Sequence, residues 1–337
     1  MLTIISGVGL LLVTLAGFSL FSMKAPKGSE AMSGMANAAI ASFLIEAVHS
    51  YITGDLMNIE FFKTVGATSG SLGGVAAAIT VPIAMGGNPV FAVVAGLAVG
   101  GFGILPGFLA GYVIGLISPI IEKKLPEGLN IIVGALAIAP LARIIAVLVD
   151  PAVNATLVKI GGTISVAADQ SPIVMGFLLG GIMKMICTSP LSSMALTAML
   201  GLNGLAMGIA AIACVGGSFT NGIIFKRLKL GDKSNVIAVM LEPLTQANII
   251  TANPIPIYCS NFFGGGLAGI SAAAFGIINN APGTASPIPG LLAPFAFNSP
   301  LSVVGALIFA VLGGCLAGYV GSLVFKKRVE KSEVCYA

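Results

Sequence analysis

One carboxylate, Glu242, stands out because the chain around it is almost free of charge. The stretch EPLTQANIITANPIPIYCSN begins at this residue and is rich in proline and asparagine. A carboxylate is expensive to bury among apolar residues, so in such a sequence it is expected to face a polar cavity. We therefore predict that Glu242 marks a binding or catalytic site.

Polar side chains also cluster at two places where prolines would break an apolar helix. The first runs from Thr188 to Ser193 and the second from Asn279 to Pro289. Irregular backbone at membrane depth must line a cavity or pack in protein, and helix ends there offer free amides to a ligand. Two broken hairpins that meet near the midplane are a recurring design of transporter binding sites. The predicted ligand contacts are Thr188, Ser189, Ser192, Gln246, Asn248, Asn253, Asn279, Asn280, Thr284, Ser286 and Lys184.

The chemistry of this set suits a neutral ligand that is rich in hydroxyl groups. Amide side chains, among them also Asn261, supply both donors and acceptors without net charge. An ion or proton pathway would be expected to show more than one deeply placed carboxylate. The alternative for any single serine or threonine is that it only caps a broken helix, which is the more common role.

Two cations, Lys184 and Arg143, lie in otherwise apolar segments. Lys184 could neutralise an anionic ligand or Glu242, or its long side chain could reach the membrane surface. Metal chemistry is not indicated, because the five cysteines lack ligand spacing and His49 is the one histidine. We expect no metal, no cofactor and no disulfide framework.

The elements that position these residues are membrane helices, because 57% of the residues are hydrophobic and only 8% are charged. The apolar runs are continuous, which excludes a strand barrel. We predict an all-α polytopic membrane protein with about 8–10 membrane helices and two re-entrant hairpins. The predicted crossings are 4–21, 71–85, 90–117, 129–149, 204–225, 258–278 and 301–325.

The orientation follows from the cations, which cluster near residues 24–27, 123–124, 226–233 and 326–331. The positive-inside rule places all four clusters, and with them the C-terminus, in the cytoplasm. An even number of crossings must then separate neighbouring clusters. This count leaves 36–52 as an amphipathic helix along the membrane, and makes 172–200 and 279–297 the re-entrant hairpins.

Glycines recur every three or four residues from Gly96 to Gly115. Such a stripe lets a partner backbone approach closely, as in repeated GxxxG contacts. The partner could be a second subunit or another helix of the same chain.

The order of these features resembles the fructose-type enzyme IIC subunits of the bacterial phosphotransferase system. The run AGYVIGLISPIIEKKLPEGLNIIVGALAIAPLARIIAVLV resembles their small-residue span, basic loop and following helix. GGIMKMICTSPLSSMAL falls on their first hairpin, LEPLTQANIITANPIPIY on their glutamate-containing broken segment, and GGGLAGISAAAFGIINNAPGTASPIPG on their second hairpin. FNSPLSVVGALIFAVLGGCLAG falls on their closing helix. With GMANAAIASFLIEAVHSYITGD near its start, the chain is most similar to a divergent branch whose members are often labelled toxin-gene regulators.

The resemblance implies a sugar permease in the bacterial inner membrane, multi-pass and homodimeric, in which a mobile domain slides against a scaffold. It implies that Glu242 contacts the sugar or accepts a proton from a sugar hydroxyl. The corresponding domains would be a scaffold at 1–150, a linker at 151–170, a transport domain at 171–325 and a cytoplasmic tail at 326–337. No segment has the pattern of a soluble IIA or IIB domain, so separate chains would supply the phosphoryl group. No residue of this chain is expected to be phosphorylated, and we expect no nucleic-acid partner.

The sequence departs from the fructose-type pattern at both hairpins. Those subunits carry a histidine after the Ala-Pro of the second hairpin, where this chain has Gly283-Thr284, and Asp-Gly-Gly-Pro at the first, where it has CTSP. These departures keep a second hypothesis open, a membrane sensor that binds a solute without phosphotransfer. A third hypothesis, a carrier of an anionic or nucleoside-like solute, rests on Lys184 and Arg143.

Overall fold

The computed structural model describes residues 2–124, 126, 129–189 and 193–326. This part of the chain is helical and contains no strand. The predicted contact Ser192 and the tail 327–337 lie outside the described residues, as do the side-chain surroundings of Asn248. The α-helices are α1 (Leu2–Lys24), α2 (Gly28–Ala39), α3 (Glu60–Ser71), α4 (Gly73–Ala84), α5 (Pro89–Ala98), α6 (Ile104–Lys124), α7 (Leu129–Gln170), α8 (Pro172–Thr188), α9 (Ser193–Met199), α10 (Gly204–Leu228), α11 (Lys233–Leu241), α12 (Ala247–Ala252), α13 (Pro254–Ala274), α14 (Pro287–Leu292) and α15 (Pro300–Val324).

Six helical stretches within the described residues are long and apolar enough to cross a membrane. They are Ile5–Lys24, Gly28–Asp55, Ile104–Lys124, Leu129–Val153, Gly204–Leu228 and Pro300–Val324. The pair α3 and α4, bent by 56° at its break, makes a seventh if it is counted as one span. An all-α polytopic membrane protein, as predicted, is therefore confirmed.

The stretch that follows α2 departs from regular α-helix. Ile40–Leu44 and Ala47–Leu56 are π-helical, and the whole stretch Gly28–Asp55 has the length and composition of a span. Nothing in its sequence signals the wider turn. The prediction that 36–52 lies along the membrane concerns orientation, and it stays a prediction.

The predicted crossing 90–117 is wrong as a single helix, because the chain breaks between α5 and α6. Gly101 adopts a φ of +90° in this break, a conformation that glycine tolerates and other residues avoid. The Arg143 guanidinium lies 4.5 Å from the ring centre of Phe102 and donates to the carbonyls of Ala98 (3.2 Å) and Gly100 (2.8 Å). Arg143 therefore caps the C-terminal end of α5.

The glycine stripe of this region packs within the chain. A Cβ at Gly107 would lie 2.1 Å from the Gly74 carbonyl oxygen, and one at Gly111 would lie 3.0 Å from the Ala78 Cα. Both contacts bring the α6 backbone directly onto α4. The sequence had left open whether these glycines contact a second subunit or another helix of the same chain, and here they contact another helix of the same chain.

The chain divides into two compact units. The first, here the N-unit, comprises Leu11–Gly162 and Met194–Gly201. The second, here the C-unit, comprises Met1–Leu10, Thr163–Ser193 and Leu202–Ala337. The segment 151–170, predicted as a linker, is helical and forms the last part of α7.

Helices of the C-unit pack through glycines, as those of the N-unit do. A Cβ at Gly269 would lie 2.0 Å from the Gly176 carbonyl oxygen, which fixes α13 on α8. One at Gly314 would lie 1.9 Å from the Gly216 carbonyl oxygen, which fixes α15 on α10. The irregular segment from Ile277 to Ser286 separates α13 from α14. It is the part of the C-unit where polar backbone must be satisfied by side chains.

Candidate functional site

The first predicted tip begins where α8 ends. The Thr188 hydroxyl donates to the Lys184 carbonyl oxygen (2.9 Å), and the Ser189 hydroxyl donates to the Ile186 carbonyl oxygen (2.8 Å). Both bonds return to the last turn of the helix, which is a capping role. Ser193 follows on the other side of the undescribed residues 190–192 and is buried.

The second predicted tip is a closed turn of buried side chains. The Asn279 amide donates to the Thr284 hydroxyl oxygen (2.8 Å) and accepts from the Ala281 backbone amide (2.9 Å). The Thr284 hydroxyl in turn donates to the Ala281 carbonyl oxygen (2.7 Å). Asn280 is exposed and accepts from the Gly204 amide (3.1 Å). Asn279 and Thr284 therefore stabilise the conformation of the tip.

The two tips are in direct contact. The Ser193 hydroxyl donates a hydrogen bond to the carbonyl oxygen of Ala285, 92 residues further along the chain. Ser286, the next residue, precedes α14 and is also buried. The polar residues of the two predicted hairpins therefore meet in one place within the C-unit.

Glu242 reaches the same place from a third element. It ends α11 in an extended conformation because Pro243 follows, and a residue before proline disfavours the helical region. Its carboxylate accepts a hydrogen bond from the Leu244 backbone amide (3.5 Å) and lies close to the Ser286 side chain. Through Ser286, Glu242 therefore lies next to the contact between Ser193 and Ala285 that connects the two tips.

Lys184 is completely buried beside this cluster, which rules out one of the two alternatives left open by the sequence, a side chain that reaches the membrane surface. A Cβ at either Gly217 or Gly265 would lie 2.3 Å from its side-chain carbons, so the lysine fills a slot that only glycines leave open. The ammonium donates one long hydrogen bond, to the Cys214 carbonyl oxygen (3.5 Å). The charge of the ammonium interacts electrostatically with Glu242 without direct contact.

Lys184 and Glu242 do not form a direct ion pair. The described residues contain one such pair, between Lys63 and Asp55 at 2.8 Å. A buried ammonium with one weak hydrogen bond is under-satisfied, since it has three donors to place. Between Lys184 and Glu242 the interaction is therefore electrostatic, without a direct bond between the two described side chains.

Two of the remaining predicted contacts, Gln246 and Asn253, are engaged elsewhere. The Gln246 side chain accepts from the Asn235 amide (2.7 Å) and donates to the Thr245 hydroxyl (3.2 Å). The Asn253 amide is buried and donates to the Ile249 carbonyl oxygen (3.2 Å). Asn248 lies on α12. None of the hydrogen bonds between described residues links Gln246 or Asn253 to Glu242.

An amide pair joins α10 to α13 in the interior of the C-unit. The Asn261 amide donates to the Asn221 side-chain oxygen (2.6 Å) and to the Ile257 carbonyl oxygen (2.9 Å), and both asparagines are fully buried. The Asn221 amide nitrogen and the Asn261 oxygen have no partner among the described residues. The sequence pointed to Asn261 as a polar neighbour of the site but gave no sign of Asn221.

Two thiols next to the cluster were not predicted as part of it. Cys187 interacts with the Cys214 and Ser193 side chains and lies close enough to Lys184 for an electrostatic interaction. Cys187 lies three residues after Lys184 and hence on the same helix face, which the spacing could have indicated. Cys214 comes from another helix, and only the tertiary structure brings it here. The described residues contain no group of three or more metal-binding side chains.

Comparison with known proteins gives one finding that covers nearly the whole chain. The sequence profile of the family described as "Phosphotransferase system, EIIC" matches residues 29–335. Searches of curated proteins and of solved structures give no match. With its series of apolar helices, the chain belongs to the phosphotransferase system EIIC family, and is a multi-pass permease subunit of a sugar phosphotransferase system in the bacterial plasma membrane.

Proposed function

We propose that this subunit carries a neutral sugar or sugar-like solute to the cytoplasmic face, where a separate IIB protein, charged by IIA, phosphorylates it. One observation carries the proposal. Glu242 lies beside Ser286 at the point where the two predicted tips touch through Ser193 and Ala285. A lone carboxylate among hydroxyls and backbone amides is suited to bind a hydroxyl group and to take its proton.

The proposed chemical step uses Glu242 as general base. The sugar hydroxyl oxygen forms a bond to phosphorus while the bond from phosphorus to the IIB donor residue breaks. The hydroxyl proton passes to the Glu242 carboxylate, so the subunit itself gains no phosphoryl group. The Ser286 hydroxyl lies beside the carboxylate and would orient it.

Charge balance favours a neutral solute over an anion. The buried ammonium of Lys184 offsets the charge of Glu242, so the pair is neutral before ligand binds. An anionic ligand would add an uncompensated charge, which is costly in a buried site. Arg143, the other cation behind the anion-carrier hypothesis, already caps α5.

In this proposal residues 1–150, most of which belong to the N-unit, supply a homodimeric scaffold, and residues 171–325 form the moving transport domain. The site residues that make mutual contacts all belong to the C-unit. The segments 172–200 and 279–297 would form the re-entrant hairpins of that domain. The tail 326–337 would lie in the cytoplasm.

A membrane sensor remains the second candidate. The chain has Gly283-Thr284 where fructose-type subunits carry a histidine, and the Thr284 hydroxyl is used to close the turn. A site of this kind could bind a solute and signal without phosphotransfer, as the similarity to the toxin-regulator branch would suggest.

A thermal-shift screen of the purified protein tests whether the site binds a sugar. Sugars, sugar alcohols, sugar acids and sugar phosphates are compared on the wild type and on Glu242→Gln. Saturable stabilisation by a neutral sugar that is lost in the variant is the expected result. Stabilisation by acids or phosphates alone, or by none of the compounds in a folded protein, would contradict the permease proposal.

A further inference from the structure

A groove runs along the outer surface of the C-unit between α13 and α15. It has a volume of about 460 Å³. Its one polar lining residue, Ser271, donates its hydroxyl to the carbonyl oxygens of Ala268 (2.7 Å) and Ala306 (2.9 Å), so the groove offers no free polar group. The lining residues are Leu267, Ile270, Ser271, Ala274, Phe275, Phe309, Leu312, Gly313 and Leu316.

The groove belongs to an apolar stripe that continues along α15. Phe309, Leu312, Leu316 and Tyr319 are spaced by three, four and three residues, which places them on one helix face. All four are exposed. From Phe309 to Ser322 the stripe is about 20 Å long, slightly more than the apolar half-thickness of a bilayer, which is about 15 Å.

An arginine with a fixed orientation stands at the end of this stripe. The Arg227 guanidinium lies 4.4 Å from the centre of the Tyr319 ring, and its Nε donates to the Ser322 hydroxyl (2.7 Å). No residue in the described part of the chain engages its two terminal nitrogens. Arg227 is exposed, and Lys226, also exposed, precedes it in the last turn of α10.

We propose that this surface binds an anionic phospholipid, with one acyl chain in the groove and the phosphate on Arg227. Guanidinium nitrogens that are free and already oriented match the paired oxygens of a phosphate. The groove accepts a chain because it is apolar throughout, and the stripe connects it to the guanidinium at a distance that one lipid can cover. The charge of Arg227 is what distinguishes this surface from an ordinary lipid-facing helix, and it selects an anionic headgroup.

The test is to titrate lipids into the purified full-length protein in detergent and to measure the melting temperature of the protein at each lipid concentration. The probes are dioleoyl phosphatidylglycerol, dioleoyl phosphatidylcholine, dihexanoyl phosphatidylglycerol and inorganic phosphate. We expect the long-chain anionic lipid to bind more tightly than the zwitterionic lipid of equal chain length. The preference should be about fivefold, the usual contribution of one basic residue.

Four variants separate the two parts of the site. Arg227→Gln should remove the headgroup preference, whereas Lys233→Gln, which removes an exposed cation at the start of α11, should keep it. Ala274→Phe should fill the groove and weaken binding of both long-chain lipids. Arg227→Lys keeps the charge without the planar fork and should restore part of the preference, which controls for lost packing on Tyr319.

The remaining outcomes contradict the proposal. Equal binding of both long-chain lipids would exclude a headgroup site at Arg227. Stabilisation by inorganic phosphate or by the short-chain lipid to the same extent as by the long-chain lipid would exclude the chain site. A preference that survives Arg227→Gln would place the anionic headgroup elsewhere.

Discussion

Glu242 is a carboxylate whose surroundings come from three separate stretches of sequence. Pro243 fixes its backbone, Ser286 lies beside its side chain, and Lys184 supplies the opposing charge without direct contact. Composition alone singled out Glu242 and Lys184 as costly charges. Their relation to each other is tertiary, because Lys184 enters through a slot between Gly217 and Gly265 that no local pattern reveals.

Removing both charges should be far less harmful than removing one. Lys184→Met leaves the Glu242 carboxylate without an opposing charge, and Glu242→Gln leaves the Lys184 ammonium without one. Each substitution should lower the free energy of unfolding by about 3 kcal/mol. The double variant should lose clearly less free energy of unfolding than the two single variants together, because it leaves no uncompensated charge. Denaturant unfolding of the four proteins measures this coupling, and additive losses would show that the two charges do not interact.

The polar contacts of the tips could be predicted as residue types but not as partners. Thr188, Asn279 and Thr284 proved to be bonded within their own turns, which is the capping alternative that the sequence had left open. The bond from Ser193 to Ala285 involves a backbone carbonyl of an unremarkable alanine. No sequence signal identifies such an acceptor.

Helix packing in both units depends on glycines that let backbones touch. The glycine stripe on α6 was visible in the sequence, yet its partner α4 was not, since spacing shows a contact face without naming what it meets. The break between α5 and α6 was missed because its residues are as apolar as the helices on either side. In contrast, Pro243 follows the end of α11 and Pro287 begins α14, so these prolines correctly indicated where helices are interrupted.

Filling the Lys184 slot should disturb the site from a distance. Gly265→Ala places a methyl group 2.3 Å from the Lys184 side chain, and such overpacking typically costs about 1–3 kcal/mol. Gly162→Ala on α7 is the matched control, because a Cβ there meets nothing within 4 Å. The control should leave the melting temperature unchanged or slightly raised. Equal melting temperatures for both variants would mean that the slot is not tight.

The whole molecule is a multi-pass membrane protein whose family was recognisable from the order of its broken helices and polar clusters. The profile match over residues 29–335 confirms the phosphotransferase EIIC assignment. What the sequence could not provide is that the segment 151–170, expected to be a linker, continues the long helix α7, within which the chain divides at residues 162 and 163. Nothing in the composition of that helix marks the boundary.

The positive-inside rule gives a topology that can be measured directly. Cysteines introduced at the exposed residues Lys124 and Lys226, in a variant without its native cysteines, should both lie on the cytoplasmic side. A membrane-impermeant maleimide should label them in inverted membrane vesicles and not in intact cells. Labelling of either site from outside would overturn the predicted orientation.

The most direct test of the proposed mechanism is phosphorylation-coupled sugar uptake by Glu242→Gln. The measurement uses cells that contain the matching IIA and IIB proteins and the sugar found in the screen, at equal amounts of membrane-inserted protein. Loss of the general base should lower phosphorylated product by at least about a hundredfold, while Gly162→Ala should transport at the wild-type rate. Uptake at the wild-type rate by Glu242→Gln would contradict the account, because the carboxylate could then be neither the proton acceptor nor an essential sugar contact.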